Sequence, residues 1–83
     1  MADKKSQITY EILENYGELG SNRSGWTREL NLVKWNNNAP KLDLRDWNSD
    51  HTRMGKGITL SYEEVAILRE VLSDLNLDEI FGE

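Results

Sequence analysis

Two stretches in the middle of the chain alternate between apolar and polar side chains as β-strands do. Along residues 26–35, Leu30 and Leu32 fall on one face of the predicted strand, whereas Val33 and Trp35 fall on the other. Leucines are among the residues that most often turn towards a core. We therefore expect the leucines to face the core and the indole of Trp35 to lie on the opposite face of the sheet.

Residues 41–47 alternate in the same way, with Leu42 and Leu44 on the apolar face. The opposite face of this strand carries Lys41, Asp43, Arg45 and Trp47. Aromatic rings spaced between cations suit a single nucleic-acid strand, because bases stack on the rings and phosphates pair with the charges. The pattern therefore predicts a single-strand-binding face.

Tryptophan also has a simpler use, as a core or interface residue that buries a large apolar area. This alternative is strongest for Trp26, which shares the parity of the leucines. It stays open for Trp35 beside Val33, and it is weakest for Trp47, whose neighbours on that face are all charged.

The pattern as a whole predicts an α+β fold with four antiparallel strands followed by one helix. The predicted elements are strands over 8–19, 26–35, 41–47 and 58–60, loops over 20–25 and 48–55, and a turn over 36–40. Asparagines in the turn tolerate positive φ, and Pro40 suits the first position of a strand.

The predicted helix begins at a capping box, in which Ser61 is the N-cap and Glu64 reaches back to it. It runs to about Leu75, with Asn76 as its stop. Its apolar positions cover more of the circumference than one sheet face would use. A second subunit is the simplest partner for the remainder, so we expect a homodimer built on Leu68, Val71, Leu72 and Leu75.

The charge of the chain is unevenly distributed. The formal net charge is −5, but residues 61–83 hold one cation and seven anions, whereas residues 23–56 hold seven cations and four anions. The acidity therefore belongs to the C-terminal segment. The middle of the chain can still present a positive face to phosphates.

Several function classes are disfavoured by what the chain lacks. Its 83 residues include no cysteine, so neither disulfides nor thiolate metal sites support the fold. No apolar run reaches membrane-spanning length, and we expect a cytoplasmic protein, including one associated with the nucleoid.

Residues 1–7 are expected to be disordered, residues 8–76 to form a single domain, and residues 77–83 to be an acidic tail.

Catalysis is not expected, because no nucleophile, base and orienting group can be assembled. Asp43 and Asp46 have opposite parity on their strand and would not share a metal ion. His51, in a charged loop, is interpreted as a solvated side chain. No metal, cofactor or small-molecule substrate is expected.

Three segments together resemble the positive cofactor 4 family of transcriptional coactivators, and within it the small bacterial YdbC-like branch. They are residues 31–35, residues 40–47 and residues 55–60, followed by the capped helix. The resemblance implies a curved four-stranded antiparallel sheet, a homodimer formed through the C-terminal helices, and single-stranded DNA lying across the sheets. By motif, it implies DNA-binding roles for the aromatics Trp35 and Trp47 and for the cations Arg45 and Lys56.

We therefore expect a homodimeric protein that binds single-stranded DNA largely without sequence preference, in transcription or DNA maintenance. The expected contacts are Trp35 and Trp47 with bases, Lys41, Arg45, Arg53 and Lys56 with phosphates, and Lys34, Arg28 and Arg23 as weaker candidates. Single-stranded RNA is an open alternative, since stacking and charge do not test for the 2′-hydroxyl. A protein-interaction module that uses the acidic helix and tail is the alternative from another class.

Overall fold

A computed structural model describes residues 8–82, which form an open four-stranded antiparallel sheet followed by two helices. The strands lie in chain order across the sheet. The elements are β1 Tyr10–Ser21, β2 Thr27–Trp35, β3 Lys41–Trp47, β4 Met54–Leu60, α1 Tyr62–Ser73 and α2 Leu77–Phe81. The predicted α+β class and antiparallel sheet are confirmed, whereas the expectation for residues 1–7 lies outside the described residues.

The turns follow the chemistry of their residues. Gly25 adopts φ 86° in the β1–β2 turn, and its N–H donates to the carbonyl oxygen of Asn22 at 3.1 Å. Asn36 adopts φ 52° after β2, as expected of an asparagine that tolerates this region. Its side-chain oxygen accepts from the backbone N–H of Thr9 at 3.0 Å, which ties the start of β1 to the end of β2.

The capping box is confirmed, since Ser61 Oγ accepts from the N–H of Glu64, and Glu64 Oε1 accepts from the N–H of Ser61. Two boundaries differ from the prediction. α1 ends at Ser73, and Asn76 does not stop it but caps a second short helix, accepting from the N–H of Glu79 at 3.0 Å. The acidic residues 77–83 therefore include a helical turn that hydrophobic periodicity did not reveal.

The fourth strand begins at Met54 and not at Ile58 as predicted. Its glycines indicated a loop, but Gly57 pairs with Arg45 inside the sheet. A Cβ atom at Gly57 would collide with the Cβ of Arg45 and the carbonyl oxygen of Leu44. The glycine is required by the close approach of two backbones, which is one of the positions that glycine takes within strands.

β1 bends sharply because its pairing with β2 shifts register three times, between Ile12 and Glu14, Asn15 and Gly17, and Glu18 and Gly20. Such bulges bend and twist a strand. The result is visible in Tyr10, which pairs with Trp35 yet also contacts Trp47, although Trp47 pairs with Thr27 eight residues away on β2. Eight residues span roughly 26 Å in a flat strand, so the sheet is strongly coiled.

We call the side of the sheet that carries Val33, Trp35, Arg45 and Trp47 the indole face, and the side that carries the leucines the leucine face. Because of the coiling, side chains of the indole face pack against one another. Its fully buried residues are Val33, Trp47, Asn31, Asp43 and, at 1% exposure, Glu29. The expectation that the leucines face the core is wrong for the single chain, since Leu30, Leu32, Leu42 and Leu44 are only partly buried.

Candidate nucleic-acid interface

Four rings meet on the indole face, and we call Tyr10, Trp35, Trp47 and His51 the aromatic cluster. The ring centre of Tyr10 lies 5.9 Å from that of Trp35 and 5.3 Å from that of Trp47. The ring centre of the His51 imidazole lies 5.6 Å from that of Trp47. All three pairs are tilted, within the separation at which aromatic pairs attract. The cluster joins β1, β2, β3 and the loop before β4.

Trp47 has no solvent-accessible surface, although its charged strand neighbours predicted an exposed ring. Alternation assigned its face correctly, but the coiling of the sheet brings Tyr10 and His51 over the indole. Trp47 therefore offers no surface for a base in this conformation. Trp35 is only partly buried, so the cluster retains an accessible indole at its other end.

The indole N–H groups of Trp35 and Trp47 are buried and have no acceptor among residues 8–82. An unpaired buried donor costs stability, about 1–3 kcal/mol for a neutral group. The two rings are therefore held by packing rather than by polar contacts.

The guanidinium of Arg45 is held by hydrogen bonds within the protein. Its guanidinium donates to both carboxylate oxygens of Asp43, from Nε at 2.7 Å and from Nη2 at 2.8 Å. Nη1 donates to the carbonyl oxygen of Gly55 at 3.2 Å, and the side chain is 14% exposed. The guanidinium carbon also lies 4.8 Å from the ring centre of Trp35.

Asp43 is the buried carboxylate that pairs with Arg45. Its carboxylate is fully buried and also accepts from Thr59 Oγ1 at 2.9 Å, so β3 and β4 are joined by a satisfied charge. A buried carboxylate that is paired and hydrogen-bonded in this way fixes the arginine in one orientation. Arg45 thereby holds a planar cation against Trp35.

A second buried carboxylate, Glu29, organises the opposite end of the cluster. His51 Nε2 lies 2.9 Å and 3.0 Å from its two oxygens. Because an ionised carboxylate only accepts hydrogen bonds, Nε2 carries the proton and donates. The other donors to Glu29 are Thr27 Oγ1, Asn15 Nδ2 and Asn31 Nδ2.

These donors set the ionisation of Glu29. Burial by itself would raise the pKa of this carboxyl, but hydrogen bonds from Thr27, His51 and Asn31 favour the charged form and bring the pKa below its ordinary value. Glu29 is thus a buried anion whose charge is stabilised by fixed donors.

His51 was interpreted from sequence as a solvated side chain, and this interpretation is wrong. It adopts φ 60°, its carbonyl oxygen accepts from Tyr10 Oη at 2.7 Å, and its ring joins Trp47 to Glu29. The surrounding loop is closed by its own hydrogen bonds, among them Asn48 N–H to Arg53 O and Arg53 N–H to Asn48 Oδ1. Only the tertiary fold brings Glu29 to this loop, so no local sequence signal could have identified the contact.

The predicted cations differ in the face of the sheet on which they lie. Lys41, Arg53 and Lys56 are exposed. Lys41 has the parity of Asp43 and so belongs to the indole face, whereas Lys56 lies at the β-bulge between Gly57 and Met54, where alternation assigns no face. Arg23 is exposed in the β1–β2 turn. Lys34 and Arg28 have the parity of the leucines and lie on the leucine face.

Arg28 is further occupied by Asp46, because its Nε donates to Asp46 Oδ1 at 2.9 Å. The hydrogen bond and the charge of Asp46 raise the pKa of Arg28. Trp26, predicted as a core residue, is only partly buried and lines a shallow pocket beside this ion pair.

A groove runs beside the aromatic cluster on the indole face. It is lined by Ile12, Asn15, Glu18, Glu29, Asn31 and His51. Among residues 8–82, no group of three or more histidine or acidic side chains is placed to hold a metal ion. Within the same part of the chain, neither helix is long and apolar enough to cross a membrane.

Comparisons with known proteins agree with this architecture. The family model of transcriptional coactivator p15 (PC4) matches residues 22–71, from the β1–β2 turn into α1. The family is a non-enzymatic, nucleic-acid-binding family whose fold binds single-stranded DNA. An uncharacterised protein of Treponema pallidum (strain Nichols) is 41% identical over 69 residues, which cover 83% of this chain and 81% of that protein. The chain therefore belongs to the transcriptional coactivator p15 (PC4) family.

Proposed function

We propose that this chain binds single-stranded DNA, largely without sequence preference, through the accessible part of the indole face. The observation that carries the proposal is Trp35, a partly exposed indole that contacts Tyr10 and the fixed guanidinium of Arg45. A rigid ring with a cation beside it is suited to stacking a base next to a phosphate. Membership of a family that binds single-stranded DNA supports the same ligand.

The proposed contacts are assigned from the solvent exposure of each side chain. Trp35 stacks a base, and Lys41, Arg53 and Lys56 neutralise phosphates, with Arg23 as a peripheral contact. Arg45 and Trp47 act through Trp35 and the rest of the aromatic cluster, since both are largely enclosed by the protein. Arg28 and Lys34, on the leucine face, contribute only to the overall field around the protein.

We propose further that the functional unit is a homodimer. The leucines of the sheet are partly buried, while Leu68, Val71 and Leu72 of α1 and Leu75 just after it are each at least 40% exposed. Within residues 8–82, α1 touches only β3 and β4. An exposed apolar helix and a half-buried apolar sheet face are what a second copy would cover.

Light scattering and Leu68→Glu test the dimer. The wild type should have the mass of two chains, and Leu68→Glu should have the mass of one, because a charge would enter the interface. Ser73→Glu adds the same charge at an exposed polar position of α1 and should leave the mass unchanged. A folded wild-type monomer at micromolar concentration would contradict the proposal.

A protein-interaction module is the second candidate, and one observation favours it. Leu77, Ile80 and Phe81 of α2 are all more than half exposed and stand among acidic residues. Such a helix suits a basic partner with an apolar groove. In this alternative the protein would act in transcription through α2, with no requirement for the indole face.

Titration of labelled oligonucleotides separates these functions. Oligo-dT should bind more tightly than a duplex of equal length, and the matching RNA tests whether the 2′-hydroxyl matters. Removal of residues 77–83 should leave oligo-dT affinity unchanged. Failure of the wild type to bind any single strand would favour the protein-interaction module. A role in transcription or DNA maintenance, at the nucleoid, would follow from single-strand binding.

A further inference from the structure

We propose that His51 is itself a DNA-contacting residue, whose imidazole provides the stacking surface at the end of the aromatic cluster where Trp47 is buried. The inference rests on the proposed single-strand binding and extends it to a residue outside the basic and tryptophan positions. His51 then contacts the base, and Trp47 packs behind His51.

His51 is the solvent-accessible ring of the pair that it forms with Trp47. Trp47 has no accessible surface, whereas the side chain of His51 is 39% exposed and its ring centre lies 5.6 Å from that of Trp47. A base that approaches this end of the cluster therefore meets the imidazole before the indole. Histidine is one of the side chains on which unstacked bases pack.

The rigidity of the ring is the second argument. His51 Nε2 donates to Glu29, which is 1% exposed and is itself held by Thr27, Asn15 and Asn31. The backbone is fixed as well, because the carbonyl oxygen of His51 accepts from Tyr10 Oη at 2.7 Å. A ring held in this way loses little side-chain freedom when a base stacks on it.

The backbone of His51 is the third argument. Its φ of 60° is uncommon for a residue other than glycine, and such conformations persist where the surrounding structure imposes them. In this conformation the ring of His51 lies against Trp47. The same loop presents Arg53, an exposed cation two residues further on. A base-stacking ring and a phosphate-pairing cation are thus carried by one hydrogen-bonded loop.

Two substitutions of similar size separate contact from structure. His51→Phe keeps an aromatic ring but cannot donate to Glu29, whereas His51→Gln keeps a donor but has no ring. If bases stack on residue 51, His51→Phe should bind oligo-dT within about twofold of the wild type. His51→Gln should lose about fivefold or more, the lower end for loss of one base–ring stack. Melting temperatures of both variants establish that they are folded.

Every other pattern overturns the inference. Retained affinity in His51→Gln with loss in His51→Phe would mean that His51 acts only through Glu29. Tighter binding by both variants would mean that His51 merely covers Trp47. Unchanged binding by both would remove residue 51 from the interface.

The wild type supplies a readout that does not depend on substitution. His51 is the single histidine of the sequence, so its imidazole proton resonances are unambiguous in an NMR titration. Stacking predicts an upfield shift of these resonances as oligo-dT is added, and their constancy while the indole fluorescence responds would contradict the inference. Failure of the proposed function is distinguishable, because the wild type would then bind no oligo-dT at all.

Discussion

The guanidinium carbon of Arg45 lies 4.8 Å from the centre of the Trp35 ring, within the range of a cation–π contact. The arginine cannot leave this position easily, since both its Nε and its Nη2 donate to the fully buried Asp43. Arg45, which the sequence predicts to contact phosphate, thus also packs its guanidinium against an indole. The ion pair of Arg45 with Asp43 and the ring of Trp35 are in direct contact through Arg45.

We expect Arg45→Met to destabilise the fold strongly. The substitution keeps much of the side-chain length but leaves Asp43 as a buried charge with only the hydrogen bond from Thr59. Loss of one partner of a buried pair lowers the free energy of unfolding by about 3–5 kcal/mol. Urea denaturation measures the effect. The double variant Arg45→Met/Asp43→Asn should recover part of the loss, and a single variant as stable as the wild type would disprove the account.

Two glycines of β4 provide a matched pair. Gly57→Ala would place a Cβ onto the Cβ of Arg45 and the carbonyl oxygen of Leu44, so we expect a loss of about 1–3 kcal/mol. Gly55→Ala would bring its Cβ only to 3.5 Å from the Cβ of Asp46, an ordinary contact. Thermal melts of the two variants should therefore differ. Equal melting temperatures would show that the strands can separate at Gly57.

The succession of four strands and a helix along the chain, the turns and the capping box could be predicted because each depends on neighbouring residues. Alternation placed Trp35 and Trp47 on one face, and Ser61 and Glu64 specified the start of α1. What alternation cannot give is the curvature of the sheet, which here arises from three register shifts in β1. For that reason the exposed and buried faces were assigned the wrong way round for the single chain.

The network around Glu29 could not be predicted for a related reason. Its donors come from β1, β2 and the loop after β3, so only the coiled sheet brings Asn15, Asn31 and His51 to one carboxylate. The positive φ of His51 was not predicted either, although histidine, like asparagine, adopts this region more often than most residues do. Glu29 shares the parity of Val33 and Trp35, but alternation gives no sign of its burial.

The lowered pKa of Glu29 predicts a loss of stability in acid. A group whose folded-state pKa lies below its ordinary value of 4.5 stabilises the fold above that pH, and the contribution disappears as the pH falls through the folded-state pKa. The melting temperatures of Glu29→Gln and the wild type should therefore differ most above pH 4.5 and least below the folded-state pKa of Glu29. Melting temperatures measured from neutral pH downwards test this.

Asp50 is the control for the acid measurement, because hydrogen bonds from Thr52 lower the pKa of this exposed carboxyl too. Asp50→Asn should remove only a minor part of the pH dependence, since an exposed group gains little from its partners. Parallel stability curves for the wild type and Glu29→Gln would contradict the role given to Glu29.

Salt dependence tests the exposed cations. For a single strand, the logarithm of affinity should fall linearly with the logarithm of salt concentration, with a slope near −0.7 for each neutralised phosphate. Lys41→Ala and Lys56→Ala should each make the slope shallower by somewhat less than one for every protomer that contacts DNA. Arg69→Ala, on the exposed side of α1, should leave the slope unchanged. Equal slopes for all four proteins would remove both lysines from the interface.

The central claim is that single-stranded DNA stacks on Trp35, and oligo-dT affinity of Trp35→Ala measured beside its melting temperature tests it most directly. Loss of one base–ring stack costs about 1–3 kcal/mol, so the folded variant should bind roughly five- to 150-fold more weakly. Trp26→Ala, on the leucine face, should bind as the wild type does. Trp47→Ala should instead unfold at a much lower temperature, because removing a fully buried indole costs about 3–5 kcal/mol. A folded Trp35→Ala variant with wild-type affinity would contradict the account.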